Sequence, residues 1–243
     1  MLLLCLSMVW AKGAQSFVYK VLQNGEQVGH RNVVITYLPS SKKQPDGATK
    51  VEIDSDVTLN IAGRSVRYQQ KGVGVFSKRR SNFVVSNHVD GMLTEFQGKR
   101  SSSGLWTVHS IYDGSFTKLE YSPLQVQNTS MELFIPEQKM KNDPFDCMIV
   151  DGTEILIQNS VWKGVSSRNF PNINKTEIEQ NLTISVENNN INSVWNKDGY
   201  LLGANISILG MEFSMILEDI PKERYFGDVH EKNDFQGILE EEL

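Results

Sequence analysis

Val51-Glu52-Ile53-Asp54-Ser55-Asp56-Val57-Thr58-Leu59-Asn60-Ile61 decides the fold class. Val51, Ile53, Val57, Leu59 and Ile61 occupy alternate positions, with Glu52, Asp54, Asp56, Thr58 and Asn60 between them. Successive side chains of a β-strand point to opposite faces, so this segment is a strand with one dry face and one wet face. Strands of a parallel sheet are covered on both faces and show unbroken apolar runs; alternation points to an antiparallel sheet. The period-two pattern returns at Leu182, Ile184 and Val186, and again at Met211, Phe213, Met215 and Leu217.

The turns agree. Asn24-Gly25, Asp90-Gly91, Asp113-Gly114, Asp151-Gly152 and Asp198-Gly199 supply the positive φ angles that tight hairpins need. Asn24-Gly25 divides a strand at Phe17–Gln23 from one at Val28–Leu38, and Asp113-Gly114 divides Trp106–Tyr112 from Phe116–Tyr121. Neither βα alternation nor a heptad pattern is present, which excludes α/β and coiled-coil folds. The expected architecture is all-β and mainly antiparallel: one large curved meander sheet, a half-barrel or barrel, with little helix. Pro39–Thr49 is expected as an exposed loop, Pro136–Pro144 as a divide between two halves of one sheet, and residues 145–157 as room for a short helix. Lys71-Gly72 and Val73-Gly74 suggest bulges in a strand, not a phosphate-cradling loop.

The N-terminus has its own signature. Met1 to Trp10 is an uncharged apolar run followed by small residues at Ala11, Gly13 and Ala14. That is the apolar core and cleavage zone of a secretory signal peptide, too short for the ~20 apolar residues of a membrane span, although no basic residue precedes it. The alternative is a buried N-terminal strand or short helix. We expect residues 1–14 as signal, 15–230 as the β domain and 231–243 as an acidic tail ending Glu240-Glu241-Glu242-Leu243. Cleavage would remove Cys5 and leave Cys147 alone, which excludes a disulfide-stapled scaffold. No later apolar run reaches membrane-spanning length, so no transmembrane segment is expected in the mature chain.

Catalytic signatures are lacking. His30, His88, His109 and His230 are far apart in the chain and make no metal-ligand spacing, so no metal or other cofactor is expected. Cys147 stands among apolar neighbours with no base to activate it, the setting of a small buried hydrophobe. No nucleophile elbow, phosphate loop or zinc-protease motif occurs, and the expectation is a protein that is not an enzyme; the alternative is an enzyme whose scattered His and Asp converge from distant loops. Net charge is −5, which gives no pull toward nucleic acid. Four Asn-x-Ser/Thr acceptor patterns begin at Asn128, Asn174, Asn181 and Asn205, and matter only in a eukaryotic secretory pathway.

Two features could carry binding. Trp106, Trp162, Trp195 and Phe213 lie on β-patterned segments and could line an apolar pocket, although a large sheet needs such residues for its core. Between Gly63 and Arg100, eight basic residues face only Asp90 and Glu95. Arg64, Arg67, Lys78, Arg79 and Arg80 in that stretch are candidates for an anion- or partner-binding face; the plainer reading is a solvated sheet face.

Phe17-Val-Tyr-Lys-Val followed by Asn24-Gly25-Glu26-Gln27-Val28-Gly29-His30 resembles the opening hairpin of a bacterial exported family of unknown function. Val194-Trp195-Asn-Lys-Asp198-Gly199 and Leu209-Gly210-Met-Glu-Phe213 resemble its closing strands. That family, periplasmic or outer-membrane-associated, is similar to the half-barrel lipoprotein carriers of the LolA/LolB kind. The resemblance implies a strongly curved antiparallel sheet around an apolar interior, closed by one or two short helices. It also implies a lipid or other apolar ligand, or a protein partner in the cell envelope; it brings no catalytic residues.

Overall fold

The computed structural model describes residues 14–40, 46–135, 145–150, 155–163, 173, 180–186, 189–208 and 211–218. Eight strands come first: β1 (Gln15–Gln23), β2 (Glu26–Leu38), β3 (Ala48–Ile61), β4 (Arg64–Phe76), β5 (Ser81–Val89), β6 (Met92–Arg100), β7 (Trp106–Tyr112) and β8 (Ser115–Tyr121). A crossing segment, residues 122–135, carries β9 (Asn128–Thr129); after it come β10 (Phe145–Ile149), β11 (Leu156–Lys163), β12 (Gln180–Val186), β13 (Asn189–Trp195), β14 (Leu201–Ile208) and β15 (Met211–Leu217). All belong to one sheet, ordered β8 through β1 and then β15 through β9. Two meanders are therefore joined where the first strand pairs antiparallel with the last, from Tyr19 opposite Leu217 to Gln23 opposite Phe213. Only β9–β10 is parallel among the described pairings. Among the described residues the sheet does not close, and β8 and β9 are its edges.

Turn chemistry sets the hairpins. Asn24-Gly25, Asp90-Gly91 and Asp113-Gly114 each place both residues at positive φ, the two-residue turn whose twist matches its strands. Ala62-Gly63 adopts the same conformation, with Ala62 at φ 52°, and no turn marker in the sequence announces it. In Asp198-Gly199 only the glycine has positive φ. There Asn196 Oδ1 accepts from the amides of Asp198 (3.0 Å) and Tyr200 (2.9 Å), beside a register shift at Val194/Trp195. Asp151-Gly152 lies outside the described residues, as do 1–13, Pro136–Pro144 and the acidic tail.

The dry face of the sheet is concave. Phe17, Tyr19, Val33, Ile35, Val51, Ile53, Phe83, Phe96 and Trp106 from the first meander share one core with Trp195 and Leu201 from the second. The crossing segment lies within that core: Val126, Met131, Phe134 and Ile135 are all buried in it. A Thr129–Glu132 box leads into a 3-10 turn, Glu132–Phe134. The Thr129 amide donates to Glu132 Oε2 (2.8 Å), and the Glu132 amide donates to Thr129 Oγ1 (3.3 Å).

Three expectations need correction. The described residues of 145–157 form no helix: β10 and the start of β11 pair there, Cys147 opposite Gln158. Cys147, Met148, Ile149 and Val150 are all buried, and an apolar run covered on both sides does not reveal its period. No helical lid closes the concave face among the described residues, because the crossing segment and β10 fill that space. Gly72 and Gly74 are not bulges, since β4 keeps an unbroken register with β3 and β5. A Cβ at Gly74 would fall on the ring of Phe76, and one at Gly98 on the ring of Phe83, so these glycines let aromatic rings lie flat on the sheet.

Candidate functional site

One row of the concave face is polar. Pairing registers place Tyr19 opposite Arg31, Arg31 opposite Ser55, Ser55 opposite Gln70, Gln70 opposite Asn87 and Asn87 opposite Thr94, straight across six strands. Tyr19, Ser55, Gln70, Asn87 and Thr94 are buried. Burying polar groups costs free energy unless they are hydrogen-bonded, so their partners define what the row does.

The partners form a directed chain. Arg31 Nε donates to Ser55 Oγ (2.8 Å), and its Nη2 donates to Gln70 Oε1 (3.2 Å). Gln70 Nε2 donates to Asn87 Oδ1 (3.0 Å) and to the Val150 carbonyl (3.2 Å), which also accepts from Asn87 Nδ2 (3.3 Å). The far half of the row thus anchors the end of β10, while Arg31 and Gln70 stay beside open space. Tyr19 donates its hydroxyl to the Leu201 carbonyl (3.1 Å); burial pushes the phenol well above its usual pKa, against the pull of Arg31. Thr94 Oγ1, at the end of the row, is buried with no hydrogen-bond partner among the described residues.

A cavity of about 110 Å³ lies against Arg31 and Gln70. Its walls come from both meanders and the crossing segment: Ile53, Gly72 and Val85 on one side, Ser193, Trp195, Ala204 and Met215 on the other, and Met131 and Phe134 across the middle. Ser193, Ala204 and Met215 are themselves one cross-strand row. A second hollow, about 400 Å³, lies at the tips of the β5–β6 and β7–β8 hairpins between Met92, Leu93 and Tyr112.

The aromatic candidates separate. Trp195 is buried and lines the cavity. Trp106 is buried elsewhere, 5.7 Å from the Phe83 ring with the Arg100 guanidinium 5.4 Å above it, and its Nε1 has no hydrogen-bond partner among the described residues. Phe213 is half-buried on β15, opposite Gln23 and Ile206, and is not part of the cavity wall. Trp162 is on β11 opposite Leu182, and its side chain is outside what is described.

The basic candidates also separate. Arg67 makes two bonds to Asp56 (3.1 and 2.7 Å) and holds its carboxyl below the usual range, while Arg64 pairs with Asp90 (2.9 Å). Both sit at the start of β4. Lys78, Arg79 and Arg80 are exposed in the β4–β5 turn, with Arg79 3.2 Å from Asp46. Nine residues of β4, 68–76, lie between Arg67 and the turn, roughly 30 Å at ~3.3 Å per residue, so they are two small clusters rather than one face.

Sequence reading missed Arg31, Ser55, Gln70, Asn87, Arg100 and Glu132. Arg100 donates to the Ser77 carbonyl (2.9 Å) and Ser81 Oγ (2.7 Å) and lies 3.6 Å from Glu132, tying the crossing segment to the sheet. The available signal was a polar residue at a position the alternation assigns to the dry face: Ser55 stands between Ile53 and Val57. The described histidines His30, His88 and His109 fall on the convex side by the same alternation, and His109 packs on Phe116 (5.1 Å between rings). Cys147 is fully buried, and burial, then Glu132 and Asp146, push its thiol far up.

No family model and no curated protein matches the chain. Among solved structures, the chain is similar to a β-barrel-like protein of the domain of unknown function DUF1849 from Brucella abortus. The TM-score is 0.54 at 9% identity, covering 86% of this chain and 98% of that one. At this identity the likeness is one of fold: a nearly all-antiparallel, barrel-like β-sheet.

Proposed function

We propose that this chain is a non-enzymatic cell-envelope protein that holds a small amphiphilic molecule on the concave face of its sheet. The ligand's apolar part occupies the cavity against Trp195, Met131 and Met215, and its polar end meets Arg31 and Gln70. The observation that carries this reading is the coincidence of the cavity with the polar row. Ligand sites are mostly apolar with a few placed polar groups, and this cavity has that composition. Its 110 Å³ is below the roughly 150 Å³ apolar cavity that takes up benzene, so it suits a short chain or chain end, not a whole acyl tail. Export is supported by the apolar run Met1–Trp10 and by the resemblance of the terminal hairpins to exported half-barrel proteins.

The test is organic extraction and mass spectrometry of protein isolated without denaturation, beside an Ala204→Phe variant whose ring fills the cavity. The expected result is a small amphiphile released from the wild type and missing from the variant. Identical extracts from both would overturn the reading.

A second reading, an interaction module, is favoured by exposed Met92, Leu93, Tyr112 and Phe116 around the hairpin tips. Under it, binding of an envelope protein would be lost on Leu93→Glu and kept in the Ala204→Phe variant. The basic turn is a separate arm of that test: loss of binding on reversing Arg79 and Arg80 to Glu would place the partner there instead.

A further inference from the structure

We infer that β8 is a self-pairing edge, joining two copies of this chain into a two-fold dimer centred on Leu119. β8 ends the sheet, and no described strand pairs with its outer side. It is a seven-residue strand with Ser115, Phe116, Thr117, Lys118 and Glu120 exposed. An edge strand presents unpaired amide and carbonyl groups, a template for another strand.

The hairpin fixes which groups point outward. Asp113-Gly114 is a two-residue turn, so the flanking pair Tyr112–Ser115 exchanges both backbone bonds. Hydrogen-bonded and non-bonded pairs alternate along the hairpin. Thr117, Leu119 and Tyr121 therefore also bond inward to β7, and Phe116, Lys118 and Glu120 direct their amides and carbonyls to the free edge.

Charge then selects the register. A second β8 related by a two-fold axis pairs each outward-bonding residue with another outward-bonding one. Centring on Lys118 or on Glu120 sets like charges opposite each other, which is destabilising. Centring on Thr117 sets Glu120 opposite the turn glycine Gly114 and leaves its charge unanswered. Centring on Leu119 sets Lys118 of each copy opposite Glu120 of the other, twice, with Leu119 against Leu119 at the axis in a close non-bonded pair. The Lys118–Glu120 contact within one strand (2.8 Å) shows that both head groups already lie on the same face. A symmetric, self-complementary patch of this kind is what a two-fold dimer requires.

Sedimentation velocity from low micromolar to submillimolar protein tests the inference on four chains. The wild type is expected to dimerise. Lys118→Glu is expected to weaken the dimer by about tenfold, since two attractive pairs become repulsive. The Lys118→Glu/Glu120→Lys double variant should restore it. Glu120→Pro removes an outward donor without touching the β7 ladder and should leave a monomer with unchanged far-ultraviolet circular dichroism. Leu119→Cys should cross-link into a covalent dimer under mild oxidation, whereas Ser115→Cys should not. A chain that stays monomeric throughout, or a dimer indifferent to Lys118→Glu and Glu120→Pro, would overturn the proposal. Neither outcome bears on the cavity, which β8 does not line.

Discussion

Two neighbouring rows of the concave face run across the same strands one step apart, and they differ in kind. Phe17, Val33, Ile53, Gly72, Val85 and Phe96 form an apolar row, while Tyr19, Arg31, Ser55, Gln70, Asn87 and Thr94 form the polar row beside it. Backbone, strand pairing and burial are shared, so the difference is one of side-chain chemistry alone. The apolar row stabilises by removing surface from water. The polar row contributes little net burial energy; it holds Val150 at one end and borders the cavity at the other. A fold needs the first kind of row, and the second kind marks where it does something else.

The largest effect should come from the apolar row. Phe96→Ala empties a fully buried ring site and should cost about 3–5 kcal/mol in urea unfolding, enough to abolish the fold of a marginal domain. Asn87→Leu should cost about 1–3 kcal/mol, because the Val150 carbonyl and the Gln70 amide each lose a buried partner. Thr94→Val, in the same row and equally buried, should be neutral or raise the melting temperature, since the hydroxyl it removes has no partner among the described residues. A costly Thr94→Val together with a harmless Asn87→Leu would break the contrast.

A smaller effect separates burial from pairing. Glu132 lies 3.6 Å from Arg100, yet desolvation outweighs that attraction and raises its carboxyl above the ordinary range. The folded chain therefore holds the Glu132 proton to higher pH than the unfolded chain. Its contribution is fully present below the unfolded value of about 4.3 and declines as pH rises through the higher folded one. Glu132→Gln should flatten that decline in urea midpoints across the acid-to-neutral range; an unchanged slope would show that the pair with Arg100 cancels the desolvation. The smallest effect belongs to the surface: Arg67→Ala removes an exposed ion pair, and its melting temperature should be indistinguishable from wild type at physiological salt.

The first meander was the more legible half. Its strands are long, alternate cleanly and turn on Asn-Gly and Asp-Gly, so the hairpins around Asn24, Asp90 and Asp113 could be placed to within a residue or two. Ala62-Gly63 was invisible because alanine carries no preference for positive φ. In the second meander both faces are packed in places: Val194, Leu202 and Ile173 form a cluster apart from the main core, and apolar residues at adjacent positions blur the alternation. The crossing segment escaped detection because its box, Thr129 to Glu132, sits in a sequence with little periodicity. The site was least legible. Ser55, Gln70 and Asn87 are ordinary residues until strand register sets them side by side, and register joins positions far apart in the chain. Trp195 was found for its size, and Trp106 and Phe213 for the same reason, although neither lines the cavity.

The role proposed for the cavity against the polar row is to take up a small amphiphile. Met131 and Met215 line it, so their methyl resonances in 13C-methionine-labelled protein report its occupancy directly during titration with pentanoate and 1-pentanol. Saturable shifts are expected at these two methyls, with little change at exposed Met92 and loss of the response in Ala204→Phe. Unmoved Met131 and Met215 signals at millimolar probe, or shifts that persist in Ala204→Phe, would contradict it.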